Sequence, residues 1–234
     1  MNNDDPQVAP PYLERSERPS QHGRIRDIYQ KVNYGELLNP HIASLFSKYF
    51  LRSDVILDLG SSNGRIFPIL NSIGISTVHG ADIADYLTLG RPSASFKTFD
   101  FSTDRFPYDD ESFDGITSIE VIEHLENPYH FLRECARILK PGGILILSTP
   151  NPDHIFNKIS FFLHGRFYRF LDGNDHIMLF SDHILSKGAK KFFNLIAREY
   201  MFGELPYRVF SRFKYPENRF FGRTAFYILQ KKQD

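Results

Sequence analysis

Apolar and polar positions along the chain change period several times, and each change marks an element. From Arg24 the spacing is helical: Ile25, Ile28 and Val32, then Leu37, Leu38, Ile42, Leu45, Phe46 and Tyr49 recur at three- and four-residue intervals. Asn39-Pro40 reads as an N-cap followed by proline at the first helical position, so two helices are predicted before the first strand. Val55 to Leu59 is a near-continuous apolar run of the kind buried on both faces of a parallel sheet. A glycine turn follows, Gly60 to Gly64, then a short helix through Ile66, Phe67, Ile69, Leu70 and Ile73, stopped by Gly74. Further strands are predicted at 77–82, 95–100, 113–119 and 143–148. A helix at 129–139 ends in the turn Pro141-Gly142-Gly143. Strand and helix alternate, which predicts βαβ units: an α/β, Rossmann-like, doubly wound, mostly parallel sheet.

The pattern changes after Pro150. Residues 152–180 are rich in Phe, His and Arg and read as a lid or insertion. Ser181 to Phe193 reads as a helix capped by Ser181. The strand-like runs 195–202 and 224–229 are predicted to pair as a final hairpin. Residues 1–22, with Pro6, Pro10, Pro11 and Pro19 among polar residues, read as a disordered or loosely draped arm before a single domain over 23–234.

Composition narrows the classes. The 234 residues hold 28 basic and 28 acidic side chains, and a dedicated nucleic-acid binder would show a basic excess. No nucleic-acid partner is therefore expected. The single cysteine, Cys135, excludes a disulfide framework. No stretch reaches the length of a membrane span, and Met1 to Ser20 lacks a secretory pattern, so a cytoplasmic protein is expected. Charge is unevenly spread: residues 99–126 carry nine acidic residues against one basic.

Three acids mark candidate chemistry. Asp58, Asp82 and Asp100 are predicted at the carboxyl ends of the first three strands, the edge where open α/β sheets bind ligands. Gly60 and Gly64 would let backbone approach a ligand closely. Asp82 could accept from two adjacent ribose hydroxyls and Asp100 from an adenine amino group, with Phe101 covering the ring. A dinucleotide fingerprint is disfavoured, because Ser62 and Arg65 stand where two of its glycines belong, and a P-loop is absent.

The stretches Val55 to Arg65 (VILDLGSSNGR), Gly80 to Ile83, Asp100-Phe101, Phe113 to Leu125 (FDGITSIEVIEHL) and Leu139 to Asn151 (LKPGGILILSTPN) together resemble the class I S-adenosylmethionine-dependent methyltransferases. The likeness extends to the small-molecule, glycan and ubiquinone-pathway branches. It implies a seven-stranded sheet with an antiparallel last strand, and S-adenosyl-L-methionine as cofactor. It also implies a cofactor site drawn from Asp58, Gly60, Ser61, Ser62, Gly64, Asp82, Ile83, Asp100, Phe101, Ile119 and Glu120. Ser62 departs from the pattern, where a glycine is usual.

Glu120, Glu123 and His124 share one face of a helical turn. His124 is the candidate base for a hydroxyl acceptor, which would enter beside Glu120, His124 and Asn151 beneath the 152–180 segment. Glu120, Glu123, His124 and, later in the chain, His176 also have a spelling similar to that of RNA 3′-terminal 2′-O-methyltransferases, where such residues bind a divalent ion. No metal is expected here, because Glu120 has a simpler role at the cofactor's amino group. The expected activity is methyl transfer to an oxygen or nitrogen of a small molecule or glycan precursor. A metal-assisted RNA methyltransferase and a silent cofactor-binding module remain the alternatives. Phe161 to Phe170 interleaves aromatic and basic residues and reads as an amphipathic lid rather than a base-stacking platform.

Overall fold

A computed structural model describes residues 35–167, 169–170, 175–203 and 217–233. The compact unit that carries the sheet begins at Leu38. The arm expected over residues 1–22 and the helix expected from Arg24 to Val32 lie outside the described residues, as does most of the 203–222 connection.

In chain order the elements are α1 (Gly35–Tyr49), β1 (Val55–Leu59), α2 (Ile66–Ser72), β2 (Thr77–Asp82), β3 (Phe96–Thr98) and β4 (Phe113–Ile119). A 3₁₀ turn (Ile122–His124) then leads to α3 (Pro128–Ile138), β5 (Leu139–Pro150), α4 (Ile155–His164), α5 (Asp182–Ala189), β6 (Phe193–Gly203) and β7 (Gly222–Lys231). The seven strands form one sheet in the order β3-β2-β1-β4-β5-β7-β6. β1 pairs in parallel with both β2 and β4, and β4 with β5, while β7 is antiparallel to both β5 and β6. The doubly wound sheet with an antiparallel last strand in sequence agrees with the sequence reading.

Alternation along each central strand feeds two cores. Ile56, Val78, Ile146 and Ile228 face α1 and α2, where Leu45, Phe46, Phe67 and Leu70 meet them. Leu57, Ile116, Leu145, Leu147 and Tyr227 face α3 and α5, against Phe131, Leu132 and Leu185. Because both faces are covered, strands such as β1 read as apolar at nearly every position.

Several boundaries differ from the sequence reading, each for a local reason. Helix α1 begins at Gly35 and carries Pro40 inside it, so Asn39 is not its cap. Pro40 is the sixth residue of α1, past the first four N–H groups, so the helix forgoes the i→i−4 bond that an N–H at that position would make. Strand β3 is only Phe96–Thr98, so Asp100 lies in the turn beyond it rather than at a strand end. There its Oδ1 accepts from Ser102 N at 2.8 Å, a side-chain bond that competes with ladder pairing. The Pro141-Gly142-Gly143 turn falls within β5, as an irregularity between the pairs Phe113–Leu139 and Gly115–Ile144. Helix α5 is shorter than expected, although Ser181 does cap it through Ile184 N.

The turn after β3 is fixed by one buried ion pair. Glu134 on α3 accepts from Phe106 N at 2.9 Å, and Arg137 Nη2 meets its Oε2 at 2.7 Å. Arg137 also donates to the carbonyls of Phe106 and Tyr108 and to Asp110. Removing the cation strands a buried carboxylate. Arg137→Met is therefore expected to lower stability by about 3 kcal/mol in urea unfolding, and adding Glu134→Gln is expected to restore part of that loss.

Candidate active site

The turn Gly60 to Gly64 leaves β1 and is fastened to the end of β2. Gly60 N and Ser61 N both donate to Ala81 O, at 2.9 and 3.1 Å. Ser62 N donates to Asp82 Oδ2 at 2.7 Å, and Ile83 N donates to Oδ1 of the same carboxylate at 2.7 Å. Three turn residues take the left-handed conformation: Gly60 (φ 80°), Ser62 (φ 49°) and Gly64 (φ 85°). Ser62 thus bears a conformation that glycine adopts without cost, which is the physical content of its departure from the family pattern.

Both turn glycines also answer a packing demand within the protein. A Cβ on Gly60 would meet Val121 Cγ2 at 2.3 Å, and one on Gly64 would meet Gly90 O at 2.2 Å. The close approach expected toward a ligand is thus matched by a close approach to the protein's own chain. Val121 follows Glu120, so the first contact sets β4's end against the turn.

The candidate residues divide into rim and interior. Asp82, Ile83, Glu120 and the turn backbone lie at the carboxyl ends of the adjacent strands β1, β2 and β4. Ile83 is 42% exposed there. Asp58 points inward instead: it is buried, and its Oδ1 accepts from Thr117 Oγ1 at 2.7 Å across the β1–β4 pair. Ser61 is buried too, its hydroxyl donating to the carbonyls of Asp58 and Ala81. Ile119 and Phe101 are buried, the latter within an aromatic cluster with Phe99, Phe106 and Phe131. Asn151 is a structural link, its amide donating to the carbonyls of Arg219 and Gly222. It is therefore not presented to an acceptor in the way its position beside β5 suggests.

Beyond the rim, the segment after β4 meets the 152–180 segment. Glu120 (φ 56°) receives Arg169 at 3.2 Å through Oε2, while its buried Oε1 has no hydrogen-bond partner among the described residues. The Glu123 carbonyl accepts from both Ile177 N and Met178 N at 3.0 Å. Its side chain is fully buried, and neither carboxylate oxygen has a hydrogen-bond partner among the described residues. Burial, reinforced by the neighbouring Glu120 carboxylate, pushes the Glu123 carboxyl well above its ordinary range.

His124 Nδ1 lies 2.9 Å from Asp175 O, and His176 Nδ1 lies 2.7 Å from Arg169 O. A carbonyl only accepts, so each Nδ1 carries its ring's proton and each Nε2 bears the lone pair. Burial holds both imidazoles below their usual pKa, which favours the neutral form. The rings are 4.8 Å apart. Ligand-capable atoms of Glu123, His124 and His176 all lie within 4.8 Å of one another. Of the four residues that could hold a metal by sequence, three are thus brought together, and Glu120 is turned to Arg169. Sequence reasoning missed Arg169 and the Asp175 carbonyl. Nothing along the chain marks which residue of the 152–180 segment will reach a strand end.

The rim suits an adenosyl amino-acid cofactor. Carboxylates at the ends of β2 and β4 match hydroxyl, amino and cationic groups, and Glu120 Oε1 is a buried acceptor with no donor among the described residues. The strand order reverses between β1 and β4, and the glycine turn opens there, at the edge where doubly wound sheets bind ligands. Residues 57–147 match the family model of a methyltransferase domain.

Among curated relatives, the chain is 32% identical over 111 residues to the ubiquinone biosynthesis O-methyltransferase of Maricaulis maris, which covers 41% of this chain and 40% of that one. It is 33% identical over 107 residues to the protein of that name from Glaesserella parasuis, covering 41% and 45%. The chain thus spans under half the length of these relatives. Among solved structures, a S-adenosylmethionine-dependent methyltransferase from Archaeoglobus fulgidus superposes with a TM-score of 0.60 at 17% identity, covering 83% of this chain and 94% of that one. At such identity the likeness concerns the fold. No helix among the described residues is long and apolar enough to cross a membrane.

Two outcomes follow. Gly64→Ala drives a Cβ into a carbonyl at a left-handed position and is expected to lower stability by about 2–4 kcal/mol in urea unfolding. Burial raises the Asp58 carboxyl from its ordinary 3.8 to about 6. A raised folded-state pKa means the folded protein holds this proton more tightly than the unfolded chain. Asp58 therefore favours folding below about pH 4, and up to about 3 kcal/mol is lost as pH rises through about 6. Asp58→Asn keeps an acceptor for Thr117 and removes that ionisation. It is expected to gain stability relative to the parent between pH 4 and 7, as read by urea unfolding at each pH.

Proposed function

We propose that this chain transfers a methyl group from S-adenosylmethionine to a hydroxyl oxygen of a small molecule. In this reading Asp82 receives ribose hydroxyls, Ile83 and the Asp100 turn border the adenine, and Glu120 Oε1 receives the amino group. When bound, the cofactor supplies an electrophilic methyl on a sulfonium, so the chemistry is largely its own. The protein's share is to hold the acceptor in line, exclude water and accept a proton.

The single observation that carries the choice of an oxygen acceptor is His124. Its Nδ1 is tied to the Asp175 carbonyl, and burial keeps the ring neutral. That leaves Nε2 as the ring's basic nitrogen. The O-methyltransferase names of the curated relatives support the same choice. A neutral nitrogen nucleophile would use the same cofactor rim without needing this base, whereas a glycan hydroxyl would need it as a small-molecule hydroxyl does.

A second reading is favoured by the Glu123, His124 and His176 cluster. One carboxylate and two imidazole nitrogens suit Mn²⁺ or a later divalent ion, which would lower the pKa of a bound hydroxyl. Both Glu123 oxygens lacking a hydrogen-bond partner among the described residues support it. Under this reading an RNA 3′-terminal 2′-hydroxyl joins the candidate acceptors.

Calorimetry with S-adenosylhomocysteine tests the cofactor rim. Asp82→Asn retains an acceptor for Ser62 N but loses the charge, and affinity is expected to fall about 10- to 100-fold. Unchanged affinity overturns the ribose assignment. His124→Ala is expected to abolish methyl transfer to a hydroxyl acceptor while leaving S-adenosylhomocysteine binding intact. His176→Ala separates the two readings. A modest loss of turnover supports His124 as base. A loss as severe as that of His124→Ala, with a stoichiometric divalent ion disappearing on elemental analysis, supports the metal.

A further inference from the structure

Glu120 is fixed by the sheet it leaves. Its N–H donates to Ser148 O at 3.2 Å and to Ser148 Oγ at 3.1 Å, and its backbone holds the left-handed conformation (φ 56°). A non-glycine residue in that conformation costs free energy and persists where its surroundings determine it. The side chain meets Arg169, whose Nη2 donates to Oε2 at 3.2 Å. Both are largely withdrawn from water, Arg169 at 20% exposure and Glu120 at 23%.

Arg169 is placed as firmly. Its carbonyl accepts from His176 Nδ1 at 2.7 Å, and the Phe170 ring packs on that imidazole at 5.4 Å. Just beyond, Ile177 N and Met178 N donate to the Glu123 carbonyl, so this part of the chain is fastened to the loop that carries Glu120. A long basic side chain anchored in this way loses less freedom on meeting a ligand than one on an open surface.

The adenosyl cofactor ends in an amino acid, so one carbon bears both an ammonium and a carboxylate. An acidic rim attracts the first and repels the second. Asp82 and Glu120 make this rim acidic, and burial holds the His124 and His176 rings neutral. Among the described residues, the cation paired with Glu120 is Arg169. Arg65, after the glycine turn, lies near the buried Asp58 instead. Glu120 Oε1 is buried with no hydrogen-bond partner among the described residues. An ammonium received there sits about 2.8 Å away. Its own carboxylate carbon is two covalent bonds further, about 2.5 Å from the nitrogen. That brings the ligand's carboxylate within reach of the guanidinium on Oε2. A guanidinium presents five N–H donors in a planar fork, so one edge can hold Glu120 while another takes a second carboxylate.

We propose that Arg169 receives the α-carboxylate of the cofactor's amino-acid end, which rests on the reading above that gives the amino group to Glu120 Oε1. Glu120 and Arg169 then recognise a zwitterion together. The pair selects adenosyl ligands that carry both charges on one carbon over those that carry an amine alone.

Calorimetry with two ligands tests it: S-adenosylhomocysteine, and its decarboxylated analogue, which keeps the adenosyl group, the sulfur and the amine. The parent protein is expected to bind the first about tenfold or more tightly than the second. Arg169→Gln is expected to weaken S-adenosylhomocysteine about tenfold or more. The same change is expected to leave the analogue as it was or bind it tighter, because Glu120 loses a competing cation. Arg169→Lys keeps the charge without the fork and is expected to fall between. A purely structural tie between the segment and the sheet would make the substitutions weaken both ligands by the same factor, and that result overturns the proposal. Equal affinity of the parent for the two ligands overturns it as well, whether or not the variants fold. Selective loss of S-adenosylhomocysteine in Arg65→Gln, with Arg169→Gln unchanged, assigns the carboxylate to Arg65 and also overturns it. If the parent binds neither ligand, the cofactor reading itself fails. Binding of both without selectivity leaves that reading standing and removes only the role of Arg169.

Discussion

The rim exists because β1 is hydrogen-bonded on both sides by parallel strands. Its register with β2 sets Leu59 against Ala81, and its register with β4 sets Asp58 against Thr117. Two strand ends are thereby presented side by side where strand order reverses, and the chain leaving β1 has only a narrow gap to turn in. The left-handed backbone at Gly60, Ser62 and Gly64 follows from that gap, as do the bonds from Gly60 and Ser61 to Ala81 O. Asp82, Ile83 and Glu120 inherit their positions from the same pairing. Asp58 completes it from inside, tying β1 to β4 through Thr117.

A second constraint links the sheet to the segment after β5. Backbone and side-chain bonds run from 120–124 to 169–178: Arg169 to Glu120, His124 to the Asp175 carbonyl, and two N–H groups to the Glu123 carbonyl. These contacts determine which nitrogen of His124 is protonated, and so what that imidazole can do. They also bury Glu123 and Glu120 near each other, an arrangement that either raises a carboxyl pKa or gathers a cation. The proposed chemistry and its metal-assisted alternative are two responses to one electrostatic situation.

The connection from β5 thus works in two directions. Its N-terminal part is knitted to the loop before β7 through Asn151, Asn157 and Phe220, and its far part covers the end of β4. Between them the tip of α4 is left outside both cores. Aromatic richness in this segment therefore has a split meaning. Phe170 lies against His176, while Phe162 faces water.

Much of this was legible along the chain because it rests on local physics. Period changes located the strands, apolar runs separated buried parallel strands from the rest, and glycines marked the turn. The expectation of acids at strand ends held for Asp82, which closes β2, and the spelling from Val55 to Asn151 resembled a methyltransferase domain, whose family model residues 57–147 match. What only the tertiary structure decided were directions and partners. Asp58, Ser61 and Phe101 stand among the predicted site residues yet face inward, because sheet pleat and neighbouring aromatics, not sequence position, choose the side. Asp100 left its strand because its side chain bonds the following turn. His176 meets His124 across 52 residues, and Arg169 meets Glu120 across 49. Such long-range meetings depend on how a segment without regular period folds back, and no local periodicity encodes that.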